Sequence, residues 1–263
     1  MLGKLLKHEF RATGRIMGPM YLVLLALAMG ANLSIRLLNS SGSRLLNILG
    51  GIVITAFGFG IGAACVITIV LMVNRFRTNL MSEEGYIMFT LPVSVHELVW
   101  SKIIVSTVWF IATSLAVALS GIIVSFRVNY VLKFFSELQQ MFREITAYYA
   151  INGIAFLVEG LVLVFLVCAA LCLLFYAAMA VGHSFANHKV LLSVVFFFVF
   201  QFASQIGGAI IAFALDGFNP FVNLTPVAAV HTFMGFGIIS VLVYGAVFYF
   251  ITTFMLKKRL NLE

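Results

Sequence analysis

The 263-residue chain is 63% hydrophobic and only 10% charged, with a mean hydropathy of +1.13 and a formal net charge of +7. A soluble domain is about half apolar and about a quarter charged, so the composition excludes a soluble globular fold and calls for an integral membrane protein. Strand-length alternation is missing, which disfavours a β-barrel, and the apolar runs reach the ~20 residues that a helix needs to cross ~30 Å of hydrocarbon.

In chain order, the opening segment MLGKLLKHEFRATGR places Leu2, Leu5, Leu6 and Phe10 on one helical face and Lys4, Lys7, Arg11 and Arg15 on the other. Such a helix over 1–15 fits the headgroup region ahead of the first span. Six spans follow, near 16–38, 49–74, 98–126, 150–181, 189–215 and 231–256. The first contains Ala26-Leu27-Ala28, which resembles a signal-peptide cleavage site, but hydrophobicity continues to Leu38 and favours an uncleaved span. In the second, Gly58, Gly60 and Gly62 mimic part of a nucleotide-binding fingerprint. That fingerprint requires a strand, a turn and a helix in a soluble unit, so close helix packing by Gly58, Gly62, Gly60 and Ala64 is expected instead.

Residues 75–97 interrupt the apolar pattern with RFRTNLMSEEGYIMFTLPVSVHE. Arg75 to Glu84 suit a short polar helix, Gly85 a backbone turn that closes it, and Tyr86 to Phe89 an apolar stretch that must be covered. Pro92 fixes the chain before the third span, and Ser94 with Glu97 spells S-x-x-E, a capping box that starts that helix. The pattern reads as a docking element, against the plainer alternative of a solvated loop that reverses the chain.

Between the third and fourth spans, Phe134, Phe135, Leu138, Met141, Phe142 and Ile145 share an apolar face opposite Lys133, Glu137, Arg143 and Glu144, which predicts a surface helix or helical hairpin. In the fourth span Glu159 is the one acidic residue well inside an apolar run. An ionisable group there is costly, and reads as a functional site or as a carboxyl bonded to a neighbouring helix. Gln201, Ser204 and Gln205 lie close on one face of the fifth span, where they suit a translocation route or interhelical hydrogen bonds equally. The final loop, DGFNPFVNLTP, combines turn formers and aromatics and is a candidate for partial re-entry into the membrane.

Chemistry is poorly represented. His96-Glu97 begins like HExxH, but Trp100 takes the second ligand position, and Gly182-His183-Ser184-Phe185-Ala186 lacks the last Gly of a nucleophile elbow. Cys65, Cys168 and Cys172 all fall in spans and have no metal-binding spacing, and no Walker-type GxxxxGK[ST] occurs. No catalytic residue, no metal site and no cofactor of this chain is therefore expected. With the N-terminus inside, eleven of the sixteen basic residues fall on one side, which places both termini and residues 75–97 in the cytoplasm. The positive charge then reflects topology and attraction to anionic membrane lipid, and nucleic acid is not an expected partner.

The segment from Asn79 to Ser94 resembles one found in the ABC type-2 permease family, the membrane subunits of bacterial ABC exporters. Asn79, Leu80, Glu84, Gly85, Tyr86, Thr90, Leu91, Pro92, Val93 and Ser94 match its N-L-x-x-x-E-G-Y-x-x-x-T-L-P-V-S pattern, and Lys102 its following lysine. LLKHEFRATGR before the first span is similar as well. The resemblance implies an all-α permease domain over 1–263, with six transmembrane helices, an N-terminal interfacial helix and a short cytoplasmic coupling helix near 76–86. It implies a bacterial plasma membrane location and pairing with a second permease copy or a relative. It also implies two separate ATP-binding subunits that carry ATP and Mg, contacted through Arg77, Asn79, Leu80, Glu83, Glu84, Gly85 and Tyr86. The cargo class would be a drug, antimicrobial peptide, lipid or polysaccharide. From another class, a stand-alone carrier or lipid-modifying membrane enzyme would use Glu159 as its ionisable site.

Overall fold

The computed structural model describes residues 2–40, 44–90, 92–125, 128–148, 153–185, 187–218 and 224–258. Every element among them is a helix: α1 (Leu2–Ser40), α2 (Arg44–Met81), α3 (Glu83–Thr90), α4 (Val95–Val124), α5 (Val128–Tyr148), α6 (Gly153–Gly182), α7 (Lys189–Phe218) and α8 (Pro226–Lys258). Six of these, all but α3 and α5, are long and apolar enough to cross a membrane, so the protein is an all-α multi-pass membrane protein. Leu22, Phe59, Leu161, Phe213 and Phe250 are among many large apolar side chains that face outward, as they must where the surrounding solvent is lipid.

The expected interfacial helix and first span are continuous, because α1 runs unbroken through residue 15. Pro19 lies inside it, and its missing N–H leaves the carbonyl of Arg15 without its helical donor. The segment between the third and fourth spans is a single helix, α5, rather than a hairpin. Its Phe135, Leu138 and Met141 remain exposed, while Phe134 and Ile145 lie outside the residues whose side chains are described. The central part of the last loop, 219–223, lies outside the described residues, and with it the expectation of re-entry.

Local chemistry explains the ends of the elements. The capping box forms as expected: Glu97 N–H donates to Ser94 Oγ at 3.2 Å and Ser94 N–H to Glu97 Oε2 at 3.2 Å, just before α4. At α8 the residue pair Thr225-Pro226 does the same work, with Ala228 N–H donating to Thr225 Oγ1 at 3.3 Å and Pro226 in the first helical position, where a missing N–H costs nothing. The turn from α6 to α7 requires Gly182. A Cβ there would lie 2.2 Å from Ser193 Oγ and 2.5 Å from Ser193 N, closer than any side chain tolerates.

The chain divides into two compact units. One comprises Leu6–Met72 and Val108–Met141. Its centre is apolar, with Leu24, Ala64 and Ala116 buried and Met20, Phe57 and Ile61 packed around them. Polar groups link its helices: Trp109 Nε1–H donates to Thr13 Oγ1 at 2.8 Å, and the Thr113 hydroxyl bonds both Tyr21 at 2.8 Å and Thr68 at 2.9 Å. Asn32 Nδ2 donates to the carbonyls of Ile123 and Val124 at 3.0 and 2.9 Å, satisfying acceptors that the end of α4 leaves open. Of the small residues expected to pack, Gly60 and Ala64 do so: a Cβ on Gly60 would touch Leu27 at 3.0 Å, and Ala64 is buried. Gly58 and Gly62 point into open space, since a pair two positions away from Gly60 falls on a different helical face.

The other unit comprises Met1–Leu5, Val73–Thr107 and Phe142–Glu263. Here α6 packs against both α7 and α8, and the second half of α6, Cys172 to Gly182, is buried. Tyr176 is its polar centre, with its hydroxyl on Ser106 and its ring stacked on Phe76 at 3.9 Å. His183, which the sequence set beside Ser184, is buried at the end of α6 with Nδ1 3.0 Å from the Met179 carbonyl.

Candidate functional site

Two places in the second unit bring chemically informative side chains together, and both involve residues singled out in the sequence. The first is the segment from Arg75 to Glu97. Residues 75–81 are the last turns of α2, so the short separate helix is α3, Glu83–Thr90, displaced toward the C-terminus from the expected 76–86. The break falls at Ser82, not at Gly85. Ser82 Oγ donates back to the Thr78 carbonyl, and its own carbonyl accepts the Gly85 N–H at 2.8 Å. Gly85 thus sits in the first turn of α3, is buried, and has no positive φ, so it makes no left-handed turn.

Burial sorts the residues of this segment into support and surface. Leu80, Met81 and Asn79 are 0%, 1% and 5% exposed, so they are packed inside the chain at the end of α2 and cannot touch a partner directly in this structure. Arg77 and Glu84 are exposed, Tyr86 is 57% exposed and Ile87 68% exposed. Of the apolar stretch expected to be covered, Tyr86 and Ile87 are left open by this chain, Met88 is half-buried and the side chain of Phe89 lies outside the described residues. The side chain of Glu83 lies outside the described residues, as does Leu91. Pro92 is exposed between α3 and α4 and follows the end of α3, where Thr90 Oγ1 donates to the Ile87 carbonyl at 2.8 Å.

The second place is Glu159. Its two carboxylate oxygens each lie 2.8 Å from His231 Nδ1, so a single Nδ1–H is shared between them. Glu159 is the seventh residue of α6 and His231 the sixth of α8. At ~1.5 Å per residue both sit some 7–9 Å in from the starts of their helices, at matching depth. Their side chains are 30% and 28% exposed. The short distance fits a charge-assisted bond that ties α6 to α8. Sequence reasoning found the acid and missed the base. His231 is the first residue of the expected sixth span, 231–256, and carries no motif of its own. The available signal was its equivalence to Glu159, because both lie near the start of an apolar run that enters from the same side.

Gln201, Ser204 and Gln205 do not form a shared polar site. Ser204 Oγ donates to the Phe200 carbonyl at 2.8 Å within α7, and its carbonyl accepts the Tyr244 hydroxyl of α8 at 2.9 Å. Gln205 is exposed and Gln201 half-buried. The interhelical contact comes from a tyrosine on the neighbouring helix, which the sequence did not suggest. Tyr244 is 13 residues beyond His231, ~20 Å along α8, so the two polar contacts are separate.

No family model, curated protein or solved structure matches the chain. Among the described residues no three His, Cys, Asp or Glu side chains are grouped so as to hold a metal ion.

Proposed function

We propose that the protein is the membrane-spanning permease subunit of an ATP-driven exporter of the ABC type-2 kind, using separate ATP-binding subunits. The observation that carries this reading is α3, a short helix set between two membrane-crossing helices. It follows directly on the buried end of α2, Leu80 and Met81, which gives it a fixed support, buries its own Gly85 and shows Glu84, Tyr86 and Ile87 outward. A solvated reversal needs no such support, and no apolar side chains at its tip. A helix held rigidly at the ends of α2 and α4 transmits a push on its outer face to both of them. The mixed charged and apolar surface suits a contact with the ATPase that re-forms in each cycle. A second permease copy and two ATPase subunits complete the assembly, placed in a bacterial plasma membrane with both termini cytoplasmic. The cargo is a drug, an antimicrobial peptide or a lipid-like molecule. In this assembly ATP and Mg are bound by the partner, and the chain itself performs no catalysis.

The Glu159–His231 pair favours a second reading, a stand-alone carrier driven by an ion gradient or a lipid-modifying membrane enzyme. Purifying the intact tagged chain from its own host in mild detergent separates the two. The exporter reading expects a co-purifying Walker-motif ATPase whose ATP hydrolysis responds to substitutions in α3. Transport by the chain reconstituted alone, with no ATPase, overturns it.

A further inference from the structure

A cleft of about 290 Å³ opens between α4, α6 and α8, lined by Trp100, Ile103, Leu166, Leu173, Val241 and Tyr249 among others. Its walls are almost wholly apolar. Leu166 to Leu173 on α6 and Val241 to Tyr249 on α8 each cover ~10–12 Å along the helix axis, most of one leaflet's share of a ~30 Å hydrocarbon core. Trp100 and Tyr249, rings 5.8 Å apart, mark one end, and such amphipathic rings settle at the headgroup level.

That end is basic. Tyr249 Oη lies 2.6 Å from His96 Nδ1, and His96 Nε2 lies 2.9 Å from Lys257 Nζ. Lysine has donors only, so Nε2 accepts from it, and the ring proton then sits on Nδ1 and is donated to the tyrosine oxygen. Two ammonium hydrogens of Lys257 and the hydroxyl hydrogen of Tyr249 remain to be given to an acceptor from outside. Among the described residues Lys257 has no carboxylate partner, and Lys258 adds a second cation beside it. His96 and Lys257 are both exposed.

We propose that this cleft binds one anionic phospholipid, with an acyl chain between α4, α6 and α8 and the phosphate on Lys257 and Tyr249. Charge complementarity selects this occupant. An apolar slot that spans most of one leaflet's depth ends on a cluster of unused hydrogen-bond donors at headgroup depth, which a zwitterionic or neutral lipid satisfies less well. The inference is independent of the exporter reading, since it concerns only the lipid around the chain.

The test uses the intact protein carrying Trp109→Phe, so that Trp100 is the remaining tryptophan. It is placed in phosphatidylcholine vesicles titrated with brominated phosphatidylglycerol or brominated phosphatidylcholine, and quenching of Trp100 is read. The proposal expects half-maximal quenching at a roughly fivefold lower fraction of the anionic lipid, the scale of one basic residue at a charged surface. Lys257→Gln and His96→Gln, both exposed, should remove that preference, whereas Lys7→Gln on α1 should keep it. Millimolar inorganic phosphate should not displace the lipid. Equal quenching by the two lipids, a preference that survives Lys257→Gln, loss of preference with Lys7→Gln, or displacement by phosphate each overturns the proposal.

Discussion

Glu159 and His231, 72 residues apart in the chain, meet through 2.8 Å contacts from both carboxylate oxygens to one imidazole nitrogen. A bond to a charged group is worth about 1.5–3 kcal/mol where water is excluded, and less at this partial exposure. Glu159→Gln or His231→Ala alone should therefore lower stability by about 1 kcal/mol, or ~2–4 °C in the thermal midpoint. The double variant should lose less than the sum, with a coupling of at least ~0.5 kcal/mol. Strict additivity in detergent melting curves would show that the pair contributes nothing.

The same pair predicts a functional effect distinct from stability. Glu159→Gln keeps the shape of the side chain and an oxygen facing His231 Nδ1 but removes the charge. If the chain works with an ATPase, Glu159→Gln should retain assembly yet lower substrate-stimulated ATP hydrolysis in the reconstituted complex. An unchanged rate removes Glu159 from the functional residues and leaves it a structural contact.

Gly182 gives the sharpest stability contrast in the chain. Its missing Cβ would meet the Ser193 backbone as well as its hydroxyl, so the neighbour cannot yield by rotating a side chain. Gly182→Ala should cost upwards of ~1–3 kcal/mol, and Ser193→Ala should not rescue it, because the backbone clash persists. Gly62→Ala, with open space at its Cβ, should be neutral or stabilising by up to ~1 kcal/mol through higher helix propensity. The ratio of folded to aggregated protein in size-exclusion chromatography reads both.

What was legible in the sequence follows the strength of the local signals. Span number and type came through because hydrocarbon thickness imposes a length and a composition on each crossing helix. The start of α4 was legible for a different reason, since a capping box is completed within four residues, Ser94 to Glu97. The site partners were not. His231, Tyr244 and the His96–Tyr249–Lys257 chain depend on which helix lies beside which, and periodicity within one span carries no such information. Gly85 does not close a helix because a glycine signals a turn only where its φ is positive, and here it continues α3 with ordinary helical backbone. Asn79 and Leu80 belong to the quoted motif yet are buried, since a motif records which residues matter and not whether they touch a partner or hold the part that does.

That distinction between surface and support yields the last prediction. Glu84 and Ile87 are exposed on α3, so Glu84→Ala with Ile87→Asp should change the stability of the isolated chain by no more than ~0.5 kcal/mol. If α3 docks on an ATPase, the same double variant should abolish co-purification of that subunit, because it removes a charge and places another in an apolar contact. Leu80→Ala should behave oppositely at first, destabilising the chain by about 2–5 kcal/mol through the cavity it leaves. Its loss of ATPase binding should then be regained, at least in part, at low temperature or with stabilising lipid, where α3 is again held in place. Normal ATPase retention by the Glu84→Ala, Ile87→Asp variant would show that α3 is not the contact, whatever the behaviour of Leu80→Ala.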